Sequence, residues 1–327
     1  MRSFGRKSKY WRMLPMLLAV SLIAGCTNAE AGFFKDRREA AWAEEVYSEA
    51  LVRAADRKYQ DRDFGISSPQ TAVKKNDKAI IDYSNASDGY VTVKWTGGGD
   101  KKLRVQVSKD DDSCLYAVST DEWATLPLAR GSGRYKVTVF ENVGGSKYAM
   151  ILSEEIVADC RNELSVFLKP NLFVNYTKMP VTQAAADVIA EQSADEMSKA
   201  ENTLKFVTQL LSYDRELAAT VKDDYIPELD SVLEGRKGIC FDYASLMTAL
   251  LRCMGVPCKL VTGYAGETYH AWLSIWSEDE GWIDGIIYFD GKGWQRADPT
   301  FADADASNST ISQYIGDGSN YVEKHFY

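Results

Sequence analysis

Apolar residues recur at every second position from about Ile80 to Lys169, and at every third or fourth position after Pro180. Successive side chains of a strand point to opposite faces, whereas a helix brings residues three and four apart onto one face. No single element type satisfies both stretches, so the chain must change architecture between them. In "YVTVKW" Val91, Val93 and Trp95 alternate with Tyr90, Thr92 and Lys94. The segments "KLRVQV", "RYKVTVF" and "LSVFL" repeat the pattern, separated by "TGGGD", "KDDDS", "RGSGR" and "NVGGS", whose Gly and Asp residues suit turns.

Short strands at that spacing predict an antiparallel sandwich of immunoglobulin-like type over residues 80–169. It contains no titratable cluster, which suits a spacer or recognition module. Before it, Trp42, Val46, Ala50 and Ala54 lie four apart among charges, predicting an amphipathic helix from Asp36 to about Asp61 that "DFGISSPQ" ends. After it, "KPNLFVNYTKMP" reads as a linker over residues 170–180.

Beyond the linker, Thr182 is placed to cap a first helix. Ser193 and Glu196 form the S-x-x-E pattern of a capping box for a second, which runs to about Ser212. Ile239, Tyr243, Leu246, Met247, Leu250 and Met254 then make a buried helical stripe. Gly255 suits a left-handed stop and Pro257 prevents resumption. Four strand-like runs follow, "CKLVTGY", "TYHAWLSIW", "WIDGIIYF" and "GWQRAD". Helices followed by an antiparallel sheet predict an α+β layout for residues 181–327, and hence a two-domain chain.

Residues 1–25 carry Arg2, Arg6, Lys7, Lys9 and Arg12, then the apolar run "MLPMLLAVSLIAG". Its 13 residues fall short of the roughly 20 a membrane-spanning helix needs, and suit a signal-peptide core. "LIAGC" resembles a bacterial lipobox, which implies cleavage before Cys26, lipidation of its thiol, and a tether leading into the helix within residues 26–79. Five of the 38 Lys and Arg and none of the 47 Asp and Glu lie in the removed segment, so the formal charge moves from −9 to −14. Such a surface repels phosphate backbones, and nucleic acid is not an expected partner.

Besides Cys26 the chain has Cys114, Cys160, Cys240, Cys253 and Cys258, an odd number. Exported chains tend to pair cysteines, which makes a leftover one a candidate free thiol. Cys114 could pair with Cys160, and Cys253 with Cys258, leaving Cys240. No zinc-site spacing is present, the chain has 2 histidines, and "DADASNST" lacks the Gly and terminal Glu of a calcium loop. Neither metal nor cofactor is expected.

Cys240 stands where the glycine-led "GRKGI" enters the striped helix. Unpaired N–H groups and the positive end of the helix dipole favour a thiolate there. Gly238 leaves room for a substrate backbone to approach. A small apolar residue at a helix start is the competing explanation. His325 falls where tail residues are poorly held, which leaves His270 as the base. In "TYHAWLSIW" His270, Trp272, Ser274 and Trp276 share one face, and Tyr269, Ala271, Leu273 and Ile275 the apolar one. That position suits either a base meeting a helix start that lies across the sheet, or a partly exposed structural histidine. Asp298 in "GWQRADPTF" shares parity with Trp294 and Arg296. It either orients the imidazole or ends a strand in an Asp-Pro turn. The order Cys, His, Asp on helix, strand and neighbouring strand is what ties the three together.

"GICFDYASLMTALLRCMGVPCKLVTGY", "HAWLSIW" and "DPTF" resemble the three signature blocks of the transglutaminase-like superfamily, a papain-like α+β fold, and "TLKFVTQLLSYD" resembles its lead-in helix. The resemblance spans residues 181–327 and implies Cys240 as nucleophile, His270 as base and Asp298 as orienting acid. The implied reaction is acyl transfer through a thioester, with no cofactor. The Cys240 backbone N–H and Tyr213 are implied oxyanion donors, and Trp272, Tyr264 and Tyr269 are candidates to line a substrate cleft, though tryptophans 272, 276, 282 and 294 are equally explained by sheet packing. A β region ahead of this core also resembles surface lipoproteins of Gram-positive gut bacteria, implying a protein or peptide substrate and anchorage outside the cell membrane through Cys26. Three outcomes stay open: hydrolysis of peptide or amide bonds, glutamine–amine cross-linking, and binding without catalysis.

Overall fold

The four-residue spacing near the start becomes helix α1 (Arg37–Ala54), followed by the single turn α2 (Arg57–Gln60). The structure is a computed structural model describing residues 37–99, 101–120, 122–284, 287–289, 294–296 and 321–327. Cys26, Asp298 and "DADASNST" lie outside them. Val46, Ala50 and Ala54 are buried, and α1 packs on the helices that follow the strands.

The period-two stretch forms β1 (Val73–Lys75), β2 (Ala79–Asp82), β3 (Tyr90–Trp95), β4 (Leu103–Lys109), β5 (Asp112–Val118), β6 (Ala124–Pro127), β7 (Gly133–Gly144) and β8 (Lys147–Ala158). They make two antiparallel sheets, ordered β1-β2-β3-β6 and β5-β4-β7-β8. Ile81, Val91, Val93 and Leu126 of the first share a buried cluster with Val105, Val107, Val137 and Val139 of the second. "LSVFL" is not a strand but a 3₁₀ turn, Ser165–Leu168. Asn162 Oδ1 accepts from the Leu164 N–H (2.9 Å) and the Ser165 hydroxyl donates to Asn162 O (2.7 Å). The adjacent residues Val166 and Phe167 are both buried, which an alternating strand facing one core would not give. The expected linker is packed too, with Val174 and Tyr176 fully buried.

Next come α3 (Pro180–Glu191), α4 (Glu196–Leu210), β9 (Ser212–Tyr213), α5 (Arg215–Thr220), α6 (Leu229–Gly235), β10 (Lys237–Gly238) and α7 (Cys240–Cys253). Their caps differ from the expected ones. Pro180 takes the first position of α3, where its missing N–H costs nothing. Thr182 lies inside the helix, and its N–H and hydroxyl both donate to Asp230 Oδ1 of α6 (2.8 and 2.7 Å). Asp195, not Ser193, caps α4 by accepting from the Ser198 N–H at 2.8 Å. The Ser193 hydroxyl instead donates back to Ile189 O at the end of α3.

The last part holds β11 (Cys258–Ala265), β12 (Thr268–Ser277), β13 (Gly281–Asp284), β14 (Ile287–Phe289), β15 (Trp294–Arg296) and β16 (Tyr321–Phe326). β13-β12-β11-β16 form an antiparallel sheet, and β14 pairs with β15. β16 corrects the expectation of a loose tail around His325: it pairs with β11, and Tyr327 exchanges both backbone hydrogen bonds with Leu260 (2.8 and 3.1 Å). α7 packs on β11 and β12, with α3 and α4 against α7. None of the helices among the described residues is long and apolar enough to cross a membrane.

Candidate active site

Cys240 is the first residue of α7. Ile239 before it is extended (φ −97°, ψ 176°), so the chain turns sharply into the helix at the thiol. Asp242, fully buried, reaches back across this turn. Its Oδ2 accepts from the Ile239 N–H at 2.8 Å and its Oδ1 from the Tyr225 hydroxyl at 2.6 Å. Burial pushes the Asp242 carboxyl up, and these two donors pull it the other way. One orphan donor of the helix start is thereby satisfied. The Cys240 N–H makes no hydrogen bond among the described residues.

Gly238 has a reason beyond room for substrate: a Cβ there would stand 2.7 Å from Asp242 Cβ. On its other side the loop pairs with β9 in parallel, Gly238 opposite Tyr213. The Ser212 N–H donates to Arg236 O and the Asp214 N–H to Gly238 O, both at 2.9 Å. Tyr213 is thus brought beside the loop that precedes Cys240. Arg236, at the base of the loop, has φ +53°, a left-handed conformation that few side chains adopt. Glu44 of α1 holds its guanidinium, and the Tyr47 ring lies 5.2 Å from it.

His270 lies on β12 opposite Gly263 of β11. Cys258 faces Ile275 across the same pair of strands, and its sulfur lies 3.7 Å from Thr248 Oγ1 of α7. The Ala271–Leu273–Ile275 row therefore turns toward α7, and His270, Trp272 and Ser274 form the other row. That row is not open: His270 is 5 % exposed and Trp272 6 %. Tyr321 of β16 covers it, its ring 6.2 Å from His270 and 5.2 Å from Trp272. Gly263 permits this, since a Cβ there would stand 2.1 Å from Val322 O and 2.8 Å from Trp272 Cη2. A glycine inside a strand signals such close approach. Tyr321 had no signal in the sequence.

At the far end of α7, Arg252 donates twice to Cys258 O, at the start of β11 (2.9 and 2.7 Å). At the near end Phe241 meets Phe173 (5.4 Å), which meets Tyr327 (4.9 Å), the partner of Leu260. α7 thus runs antiparallel to β11, its first turn toward the end of the hairpin that carries His270. Among the described residues the Cys240 thiol makes no hydrogen bond. The thiol starts α7, while the imidazole stands on the β12 row that turns away from α7 and lies under Tyr321, so the structure carries the two on neighbouring elements and does not bring them together. Tyr264 and Tyr269 stand opposite each other at that end, 39 % and 56 % exposed, their rings 5.4 Å apart.

The five described cysteines are free thiols, so neither expected pair forms. Cys114 lies 3.5 Å from His325 Nδ1, and burial pushes its thiol up to about 11. Burial likewise pushes Cys258 up to about 12 and raises Cys253. Among the described residues there is no group of three His, Cys, Asp or Glu able to hold a metal ion.

Residues 182–285 match the family model for the Transglutaminase-like superfamily. A protein-glutamine gamma-glutamyltransferase of Pseudomonas aeruginosa is 31% identical over 68 residues, covering 16% of this chain and 10% of that protein. An uncharacterized protein of Mycobacterium leprae is 31% identical over 124 residues, covering 32% of this chain and 38% of its own length. The chain thus spans well under half of either curated relative. Among solved structures, a candidate cysteine protease of Cytophaga hutchinsonii aligns with TM-score 0.36 and 11% identity, over 73% of this chain and 83% of its own. Red sea bream transglutaminase aligns with TM-score 0.29 and 13% identity, over 78% and 52%.

Proposed function

We propose, taking the transglutaminase-like domain of residues 182–285 as premise, that the protein is a thiol acyl-transfer enzyme hydrolysing peptide or amide bonds. The observation that carries this reading is Cys240 at the first position of α7, in a loop pinned on both sides by Asp242 and β9. The thiolate of Cys240 attacks the carbonyl carbon and forms a tetrahedral oxyanion. The Cys240 N–H, with no partner among the described residues, suits that oxyanion, and Tyr213 beside the loop suits a second donor. The C–N bond then breaks, with His270 as imidazolium protonating the departing amine. Water attacks the thioester, His270 takes its proton, and the acid leaves with Cys240 restored. Asp298 is assigned to orient His270. The exposed Tyr264–Tyr269 pair suits the substrate's flanking residues, and a buried Trp272 suits support of His270.

The P. aeruginosa relative's name favours a second reading, in which a primary amine replaces water and glutamine is cross-linked. We assign residues 80–169 to an immunoglobulin-like module and residues 1–26 to a lipoprotein signal and anchor, which puts the enzyme outside a bacterial membrane with protein or peptide substrates. The test incubates the full-length chain with glutamine-containing peptides and a fluorescent primary amine. Hydrolysis predicts acid product with little amine incorporation, and none of either in Cys240→Ala. Preferential amine incorporation selects the second reading. Turnover that survives Cys240→Ala overturns both, and absence of turnover across a broad peptide library supports the non-catalytic alternative.

A further inference from the structure

A cavity of about 580 Å³ lies between β3, β6 and the segment before α3. Thr92, Lys94, Trp123, Asn171 and Asn175 are among the residues lining it. Asn171 is 4 % exposed. Its Oδ1 accepts from the Phe173 and Val174 N–H groups at 3.0 and 3.1 Å, while its Nδ2 is buried and without a partner. A buried donor left unpaired is costly, and a ligand oxygen would relieve that cost. Asn175 shows the same polarity: its Oδ1 accepts from the Thr177 N–H (3.2 Å) and hydroxyl (2.7 Å), leaving its NH2 hydrogens to the cavity. The Lys94 ammonium forms no ion pair among the described residues and lies 5.8 Å from the centre of the half-buried Trp123 ring. Glu122, the acidic residue of the lining, is engaged by Lys178 at 2.6 Å.

The wall therefore offers two amide donors, a cation without an ion pair among the described residues and an aromatic ring beside it, with its carboxylate already engaged. An apolar ligand would leave the donors unmatched. An extended peptide would bring backbone N–H groups for which the wall offers hydroxyl oxygens but no free carboxylate, and it would leave the cation unmatched. A sugar ring has C–H groups for the aromatic face and a ring of acceptor oxygens, and a carboxylate on it would pair with the cation.

We propose that this cavity binds an acidic saccharide, its ring stacked on Trp123, its carboxylate at Lys94 and its hydroxyl oxygens at the amides of Asn171 and Asn175. The site is separate from Cys240, and its test reads binding alone. The full-length protein is titrated calorimetrically with a glucuronate–N-acetylglucosamine disaccharide and with the methyl ester of that sugar. The expected result is saturable binding of the acid with Kd below about 1 mM and of the ester about tenfold weaker. Trp123→Ala abolishes binding, and Lys94→Met reduces the acid to the level of the ester, both with unchanged thermal melting. Should Trp123→Ala fold poorly, Trp123→Phe retains binding while Asn175→Ala weakens it. No saturation up to about 10 mM, equal binding of acid and ester, or tighter binding of an acetylated Glu-Ala-Glu peptide amide overturns the proposal.

Discussion

Asp242 holds two donors at the mouth of α7, the Ile239 N–H and the Tyr225 hydroxyl, with no exposure to water. Removing the carboxylate leaves the buried Ile239 N–H unpaired and the half-buried Tyr225 hydroxyl without its acceptor, a loss of about 1–3 kcal/mol. Asp242→Ala should therefore lower the urea-unfolding stability by that amount, with Tyr225→Phe costing less because one acceptor then keeps its other donor. Unchanged stability in Asp242→Ala would remove the carboxylate from any part in setting the Cys240 turn. Gly238 belongs to the same unit, because a Cβ there would collide with Asp242. Gly238→Ala is expected to lower the rate of Cys240 alkylation relative to wild type by displacing the loop, measured by peptide mapping. A rate equal to wild type would show that the loop tolerates the displacement.

Among the elements, β16 carries the clearest pH signature. His325 sits on it beside Cys114, and burial lowers its pKa from the ordinary 6.5, with Arg130 and Lys324 acting the same way and Asp112 opposing. The unfolded chain then binds a proton on His325 more readily than the folded one. The stability His325 contributes in its neutral form is present above pH 6.5 and is lost as the pH falls from there toward the folded value. Melting temperature should thus fall more steeply with acidification in the wild type than in His325→Gln, and parallel curves would contradict the assignment. β16 also marks where the sequence stopped being legible. α7 was readable because an apolar stripe, Gly255 and Pro257 all point to one helix, and β3, β4 and β7 because their alternation is unbroken. "VEKHF" has little alternation of its own, and only its pairing with β11 makes it a strand. "LSVFL" mimicked a strand while Asn162 set a turn; α3 takes its capping oxygens from the distant Asp230, and α4 takes its cap from Asp195 rather than the nearby Ser193. Cys240 was legible at a helix start, whereas the pairing that sets Tyr213 beside its loop had no signal in the sequence. The burial of His270 was not, because the covering Tyr321 lies 51 residues away in a segment with no motif.

At the scale of the molecule, the two β sheets, the helices and the C-terminal sheet share buried residues from Ala43 to Tyr327. Arg252 ties them physically: its guanidinium, 3 % exposed, donates to Cys258 O, Lys169 O and Tyr327 O. A continuous core implies one cooperative unit. Scanning calorimetry should show one unfolding transition, and two separated transitions would place an independent boundary between residues 169 and 181. The same continuity lets α1 reach the loop before Cys240 through Glu44, Tyr47 and Arg236. The most direct test of the acyl-transfer account is pre-steady-state reaction with a para-nitrophenyl ester of an N-acylated amino acid, followed by mapping of the acyl group. The account predicts a burst of about one equivalent of nitrophenol, with the acyl group on Cys240, no burst in Cys240→Ala and slowed deacylation in His270→Ala. Absence of a burst, or acylation that persists unchanged in Cys240→Ala, would contradict it.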